Sequence, residues 1–186
     1  MRIFFTASLR AKQLGFEKSI ESICDVLATH HDLYAKHIQD QNLDEVRQWN
    51  FDKRLSYYNT TYKEIKKCDM LVAEITYPSV NVGYEIALAL ESEKQVILLH
   101  QNGNQAIFDL IHAEEYEDQL HVLKYREGEV IEKLELFLKS LTASPDKRFT
   151  LLLPSYILNH LSKVSKQKKM PRAVYIRKLI EKDMHE

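Results

Sequence analysis

The chain has 186 residues, 45% of them hydrophobic and 28% charged, which is the make-up of a soluble globular protein with room for one ordinary domain and a small appendage. No apolar run approaches the ~18 residues of a membrane span, and the apolar start "MRIFFTASLR" is too short for a signal-peptide core, so a cytoplasmic protein is expected. The net charge of −1 is unevenly spread: residues 146–186 hold ten Lys/Arg against four Asp/Glu, a net of +6, and the rest holds 16 against 23, a net of −7. A basic tail on an acidic body predicts two parts with separate tasks.

In chain order, "RIFFTAS" (2–8) reads as a strand. "FEKSIESICDVLATH" (16–30) places Phe16, Ile20, Ile23, Val26 and Leu27 on one helical face. "DLYAKHI" (32–38) is a second strand, and the polar "DQNLDEVRQWN" (40–50) is a loop. "DKRLSYYNTTYKEIKKC" (52–68) is a helix, "DMLVAEIT" (69–76) a buried strand, and the segment from Val80 to about Glu93 a helix. "KQVILLHQ" (94–101) and "QLHVLKY" (119–125) are strands, and "EGEVIEKLELFLKSL" (127–141) is an amphipathic helix. Cys24 and Cys68 lie in apolar-periodic stretches and are expected to be buried, reduced thiols.

Strands alternating with helices predict an α/β fold, a parallel sheet with helices on both faces. Ligands in such folds bind beyond the carboxyl ends of the strands. Three segments then border the ligand: "TASLR", "AKHIQD" and "TYPSVNVGYE". Neither a Gly-rich dinucleotide fingerprint nor a P-loop is present. The eight histidines form no HExxH pattern, His30–His31 reads as a loop pair, and no metal or cofactor is expected.

The stretch "VAEITYPSVNVGYEIALAL" (72–90) sets a carboxylate, Glu85, in the expected first turn of a helix that is otherwise apolar. A helix N-terminus holds such a carboxylate ionised and also favours a bound phosphate. Beside a pocket, the carboxylate is a nucleophile or base. Thr76 and Ser79 add hydroxyls, Gly83 lets the backbone approach a ligand, and Ser8 and Arg10 at the end of the first strand complete an anion site. On the local pattern alone, a plain helix-capping role for Glu85 stays open beside this one.

"AEITYPSVNVGYEIALAL" resembles the signature of the nucleoside 2-deoxyribosyltransferase superfamily, in particular its 2′-deoxynucleoside 5′-monophosphate N-glycosidase branch, whose motif reads roughly AEVTxPSLGVGYELGxA. "IFFTASLR", "LYAKHI", "CDMLVAE" and "YREGEVIEKLELFL" resemble the branch's first strand and loop, its LTEHV segment, its ADVVVAE strand and its last helix. The resemblance covers residues 1–141 and implies a flavodoxin-like fold. It implies attack of a glutamate on C1′ of a 2-deoxyribosyl group, departure of the base, and resolution of the covalent sugar by water or another base. Glu85 holds the nucleophile's position. By resemblance Ser8, Arg10 and Ser79 hold the 5′-phosphate, and His37 approaches the base or sugar. The departures are Phe4 for the family's orienting tyrosine, Thr61 for its base-holding aspartate, Asn81 for the second glycine of the loop and Ala7 for the glycine before Ser8. Phenylalanine cannot hydrogen-bond and threonine is no acid near neutrality. General acid–base help is worth ~10²–10⁴-fold, so weakened activity, or a nucleotide-sensing domain without turnover, is the alternative. Tyr57, Tyr58 and Tyr62 are near in sequence and Asp52 is within reach as groups that could substitute; base stacking or packing is the more common role of such residues, and packing is the favoured one.

After a linker, "LTASPDK" (141–147), the segment "RFTLLLPSYILNHLSKVSKQKKMPRAVYIRKLIEKDM" resembles a ribbon-helix-helix module: a strand (148–154), a helix with Ser155 as N-cap, and a helix opening at Pro171. About 40 residues are few for an independent core, which predicts pairing with a second copy, a homodimer or higher oligomer. In that family paired strands read DNA. The implied DNA contacts are Arg148 and Thr150 on the strand's outer face and Lys168, Lys169 and Arg172 on phosphates. Dimerisation alone, with the charge as a solvated face, is the competing reading.

Overall fold

The computed structural model describes residues 1–101, 116, 119–143, 151–168, 170 and 172–184, with backbone only for 141–143. The chain divides into two compact units, Met1–Ser144 and Pro145–Glu186.

The first unit is built on β1 (Arg2–Ala7), β2 (Asp32–Tyr34), β3 (Met70–Glu74), β4 (Gln95–His100) and β5 (Leu120–Lys124). These strands pair in parallel in the order β2-β1-β3-β4-β5. That order is flavodoxin-like, and it reverses between β1 and β3, where such sheets bind ligands. The register sets Ala7 opposite Glu74 at this edge.

Continuous apolar runs in β1, β3 and β4 follow from burial on both sheet faces. Alternation sends Ile3, Phe5, Val72 and Ile97 to one core, under helices α1 (Glu17–His30) and α6 (Val130–Ala143). Phe4, Leu71, Ala73 and Leu98 go to the other, with residues of α4 (Phe51–Lys67) and α5 (Val80–Glu91). Cys24 and Cys68 are both buried and free.

Two expectations for residues 32–50 are corrected. The second strand ends at Tyr34, and Lys36–Gln39 forms a short helix, α2. The polar stretch is not all loop, because Leu43–Arg47 is helix α3. Its cause is local: the Asn42 side chain accepts from Glu45 N–H at 2.9 Å and donates to Glu45 Oε1 at 2.8 Å, a reciprocal cap. Asn50 caps α4 in the same way, accepting from Lys53 N–H at 2.9 Å. Between β1 and α1 the chain makes two helical turns, Leu9–Ala11 and Lys12–Phe16, broken at Gly15, whose φ of 89° suits glycine.

In the second unit, α7 (Ser155–Lys168) and α8 (Arg172–Asp183) form a helical pair. Residues 151–154 carry no strand pairing, contrary to the expected strand, since a ribbon strand needs a partner to pair with. Helix α6 runs through Ala143, so the expected linker at 141–147 begins as helix; its remainder, with Arg148 and Thr150 of the expected reading face, lies outside the described residues.

Candidate active site

At the β1/β3 reversal lies a cavity of about 250 Å³. Its wall is made by the end of β1 and the following turn (Thr6–Arg10), by α2 (His37, Ile38), α3 (Leu43, Val46, Arg47), Tyr57 of α4, and the start of α5 (Pro78, Ser79, Asn81, Val82, Glu85). Lys12 fastens two sides of this wall, donating from Nζ to Ile38 C=O at 3.1 Å and Gln41 C=O at 3.4 Å.

Glu85 is 3% exposed, and its Oε2 has no hydrogen-bond partner among the described residues. Burial pushes its carboxyl up to about 7, tempered by a hydrogen bond from Thr6. This corrects the sequence reading. Ser79 is the N-cap, accepting from Val82 N–H at 3.5 Å, so Glu85 is the sixth residue of α5 and lies past the first turn. It is beyond the free N–H groups, and desolvation replaces the helix terminus as the dominant influence. Such a carboxyl is about half ionised at neutral pH.

His37 also lines the cavity, 3% exposed, with neither ring nitrogen partnered among the described residues. Burial drives its pKa down to about 3, so the imidazole is neutral. It stacks on Phe4 with centroids 4.8 Å apart, and Phe4 stacks on Tyr34 at 5.5 Å. Tyr57 lies tilted against His37 at 6.3 Å and against Trp49 at 5.4 Å. Its phenol pKa is raised, chiefly by burial and then by the charge of Glu85.

Ser8, 4% exposed, and the exposed Arg10, which pairs with no carboxylate among the described residues, also line the cavity. The N-terminus of α5 faces this region through Ser79 and Asn81. A hydroxyl, a guanidinium and a helix N-terminus are groups that bind phosphate. Tyr58 donates from its hydroxyl to Asn81 Oδ1 at 3.3 Å, tying α4 to this corner.

The structure therefore brings Ser8, Arg10, His37, Ser79, Asn81 and Glu85 together. Phe4 and Thr61 do not line the cavity; they lie behind it, 0% and 2% exposed. Gly83 faces instead an apolar cavity of about 210 Å³ shared with Ile86 and Leu90, and a Cβ added to it meets nothing within 4 Å. Thr6 lies in the segment expected to border the ligand, on the face of β1 that carries Phe4. Arg47, which sits on the helix misread as loop, escaped the sequence reading. Tyr57, one turn before Thr61 on the same helix, was noted only as near in sequence, with packing favoured.

A second buried carboxylate, Glu74, closes β3. It is fully buried, and its Oε1 accepts from Tyr125 O–H at 3.0 Å, from Thr76 N–H at 3.1 Å and from the Thr76 hydroxyl. Thr76 Oγ1 in turn accepts from Gln101 N–H at 3.0 Å. Burial raises the Glu74 pKa against these donors. The loop from β3 to Ser79 is thereby tied to the ends of β4 and β5.

Of the tail residues implied in DNA contact, Lys168 lies over the Tyr175 ring at 4.9 Å and Arg172 opens α8, exposed. Lys169 is outside the described residues.

No protein-family model matches the chain. It is similar to a Nematostella vectensis protein assigned as a 2′-deoxynucleoside 5′-phosphate N-hydrolase 1, with 27% identity over 143 residues, 75% of this chain and 95% of that one. It is similar to the 5-hydroxymethyl-dUMP N-hydrolase of Danio rerio, with 25% identity over 146 residues, 76% of this chain and 99% of that one. Among solved structures, a CMP N-glycosidase from Clostridium botulinum covers 73% of this chain at 24% identity and a TM-score of 0.51, matched over 99% of its own length, a likeness of fold. These similarities bear out the resemblance of the N-terminal part to nucleotide N-glycosidases; the tail's resemblance gains nothing from them.

Proposed function

We propose that the N-terminal unit, similar as it is to nucleotide N-hydrolases, cleaves the N-glycosidic bond of a nucleoside 5′-monophosphate through Glu85. The carrying observation is the buried Glu85 carboxylate, its Oε2 without a hydrogen-bond partner among the described residues, lining a cavity that Ser8, Arg10 and Ser79 also line. The phosphate binds at those three residues and at the start of α5. The ionised Glu85 oxygen attacks C1′; the C1′–O bond forms, the C1′–N bond breaks, and its electron pair leaves with the base. Water, or a second base, then attacks C1′ and frees Glu85, with one proton of the water ending on the departed base. Phe4 has no hydroxyl to hold the nucleophile, and Thr61 is no acid, which favours slow turnover.

The test is incubation with a panel of deoxynucleosides and their 5′-monophosphates, following free base by chromatography. Base release is expected from a 5′-monophosphate and is expected to fall by on the order of 10³-fold or more in Glu85→Ala. Equal release by the variant refutes the reading. Mass spectrometry of quenched enzyme checks for the sugar phosphate adduct on Glu85. Added free base distinguishes transfer from hydrolysis.

A second reading concerns the tail. Leu152 is 94%, Tyr156 72% and Met184 76% exposed in the single chain. With the net +6 of residues 146–186, this favours a unit that pairs with a second copy and meets DNA phosphates. The alternative function follows: a nucleotide-sensing domain joined to a DNA-binding or dimerisation module. Light scattering of the full chain and of residues 1–144 is expected to show a dimer and a monomer. DNA binding at low salt is expected only for the full chain. An unchanged oligomer, or no binding by either, counts against each part respectively.

A further inference from the structure

A departing nucleobase takes the electron pair of the glycosidic bond, so a site that cleaves this bond needs a hydrogen donor at the base. The ionisable groups lining the cavity are few. Arg10 is assigned to the phosphate, and Arg47 pairs with Asp44 at 3.5 Å. Glu85 must be anionic to attack. His37 is a neutral imidazole, whose N–H is a weaker hydrogen-bond donor than a phenol O–H. That leaves Tyr57, half-buried in the cavity wall beside His37 and within the field of Glu85.

The placement of Tyr57 suits the task. Its ring is held between His37, Trp49 at 5.4 Å and Tyr58 at 5.6 Å, so the phenol has little freedom to turn away. Thr61, one helical turn later, is a hydrogen-bond partner of the phenol. Tyr57 itself lines the cavity. A base joined to C1′, with C1′ at Glu85, has to lie within a few ångströms of the nucleophile, in the cavity that His37 and Tyr57 also line.

We propose that Tyr57 is a catalytic hydrogen-bond donor to the leaving base, its O–H bonding a ring nitrogen or carbonyl oxygen as the C1′–N bond breaks. The phenol keeps its proton; the charge developing on the base is stabilised by the bond, and the water that resolves the sugar supplies the proton the base finally carries. Thr61 is a positioning residue for this phenol. The inference rests on the N-glycosidase reading above.

The test compares two leaving groups on the full chain: a natural deoxynucleoside 5′-monophosphate, and a 2-deoxyribosyl 5-phosphate carrying p-nitrophenolate, which departs without help. Tyr57→Phe is expected to lower kcat for the natural substrate about 10²-fold with little change in KM, and for the nitrophenyl substrate by less than about threefold. Thr61→Val, which keeps the volume and removes the hydroxyl, is expected to show the same selectivity at a smaller size, about tenfold against no loss. Retained turnover of the nitrophenyl substrate certifies that each variant is folded. Equal losses on both substrates, or none on either, overturn the proposal. Base release that does not depend on Glu85 overturns the N-glycosidase reading instead.

Discussion

Replacing Glu85 by Gln tests the electrostatics of the site independently of catalysis. Burial raises the Glu85 carboxyl from 4.5 to about 7. At about 1.4 kcal/mol per pH unit, this separation corresponds to about 3 kcal/mol. The folded state binds the proton more tightly than the unfolded chain, so low pH favours folding. Below pH 4.5 both states are protonated and no penalty arises. Between 4.5 and 7 the unfolded chain ionises first, and the parent progressively loses this stability; above 7 the loss is complete. Glutamine is neutral throughout. Urea unfolding of both proteins is therefore expected to show the variant gaining about 2 to 3 kcal/mol on the parent between pH 5 and pH 8. Glu74 is common to both proteins and drops out of the difference. If the stability difference is the same at both pH values, Glu85 is solvated or paired and the reasoning fails. Where the parent turns over, kcat/KM is expected to rise through pH about 7 as the same carboxyl ionises.

His37→Phe keeps the aromatic stack and removes two unpartnered ring nitrogens; thermal unfolding is expected to show equal stability or a gain of up to about 1 kcal/mol, and calorimetry about tenfold weaker nucleotide binding. Tyr125→Phe removes the 3.0 Å bond to Glu74 and is expected to cost about 1–3 kcal/mol. This cost is larger at pH 8 than at pH 5, because the lost donor served the ionised carboxylate; a pH-independent cost in urea titrations contradicts that account.

The central sheet was legible because β1, β3 and β4 are buried on both faces, and such strands read as unbroken apolar runs. Residues 32–50 were less legible. "LYAKHI" has an apolar spacing that fits a strand or a short helix equally, and pairing with β1 stops at Tyr34. The α3 signal was present as Asn42 three residues before Glu45, but a five-residue helix has no apolar period to support it. The loop carrying Ser79 was recognised through its motif, and the helix was expected to begin at Val80, as it does. What was misjudged is the place of Glu85 within it: with Ser79 as the cap, Glu85 is the sixth helical residue and lies past the first turn. Tyr57 and Arg47 reach the cavity through tertiary packing of α4 and α3, which no local pattern records.

The hydrogen bonds converging on Glu74 have a consequence for how a ligand is met. Thr76 and its loop are fastened to Gln101 and Tyr125, at the ends of the two neighbouring strands, before any ligand arrives. The loop that carries Ser79 is thus an extension of the sheet. Its conformational entropy is surrendered when the protein folds, so binding need not oppose it a second time. If the proposed site binds its nucleotide, association is then expected to require no ordering of the Thr76 loop.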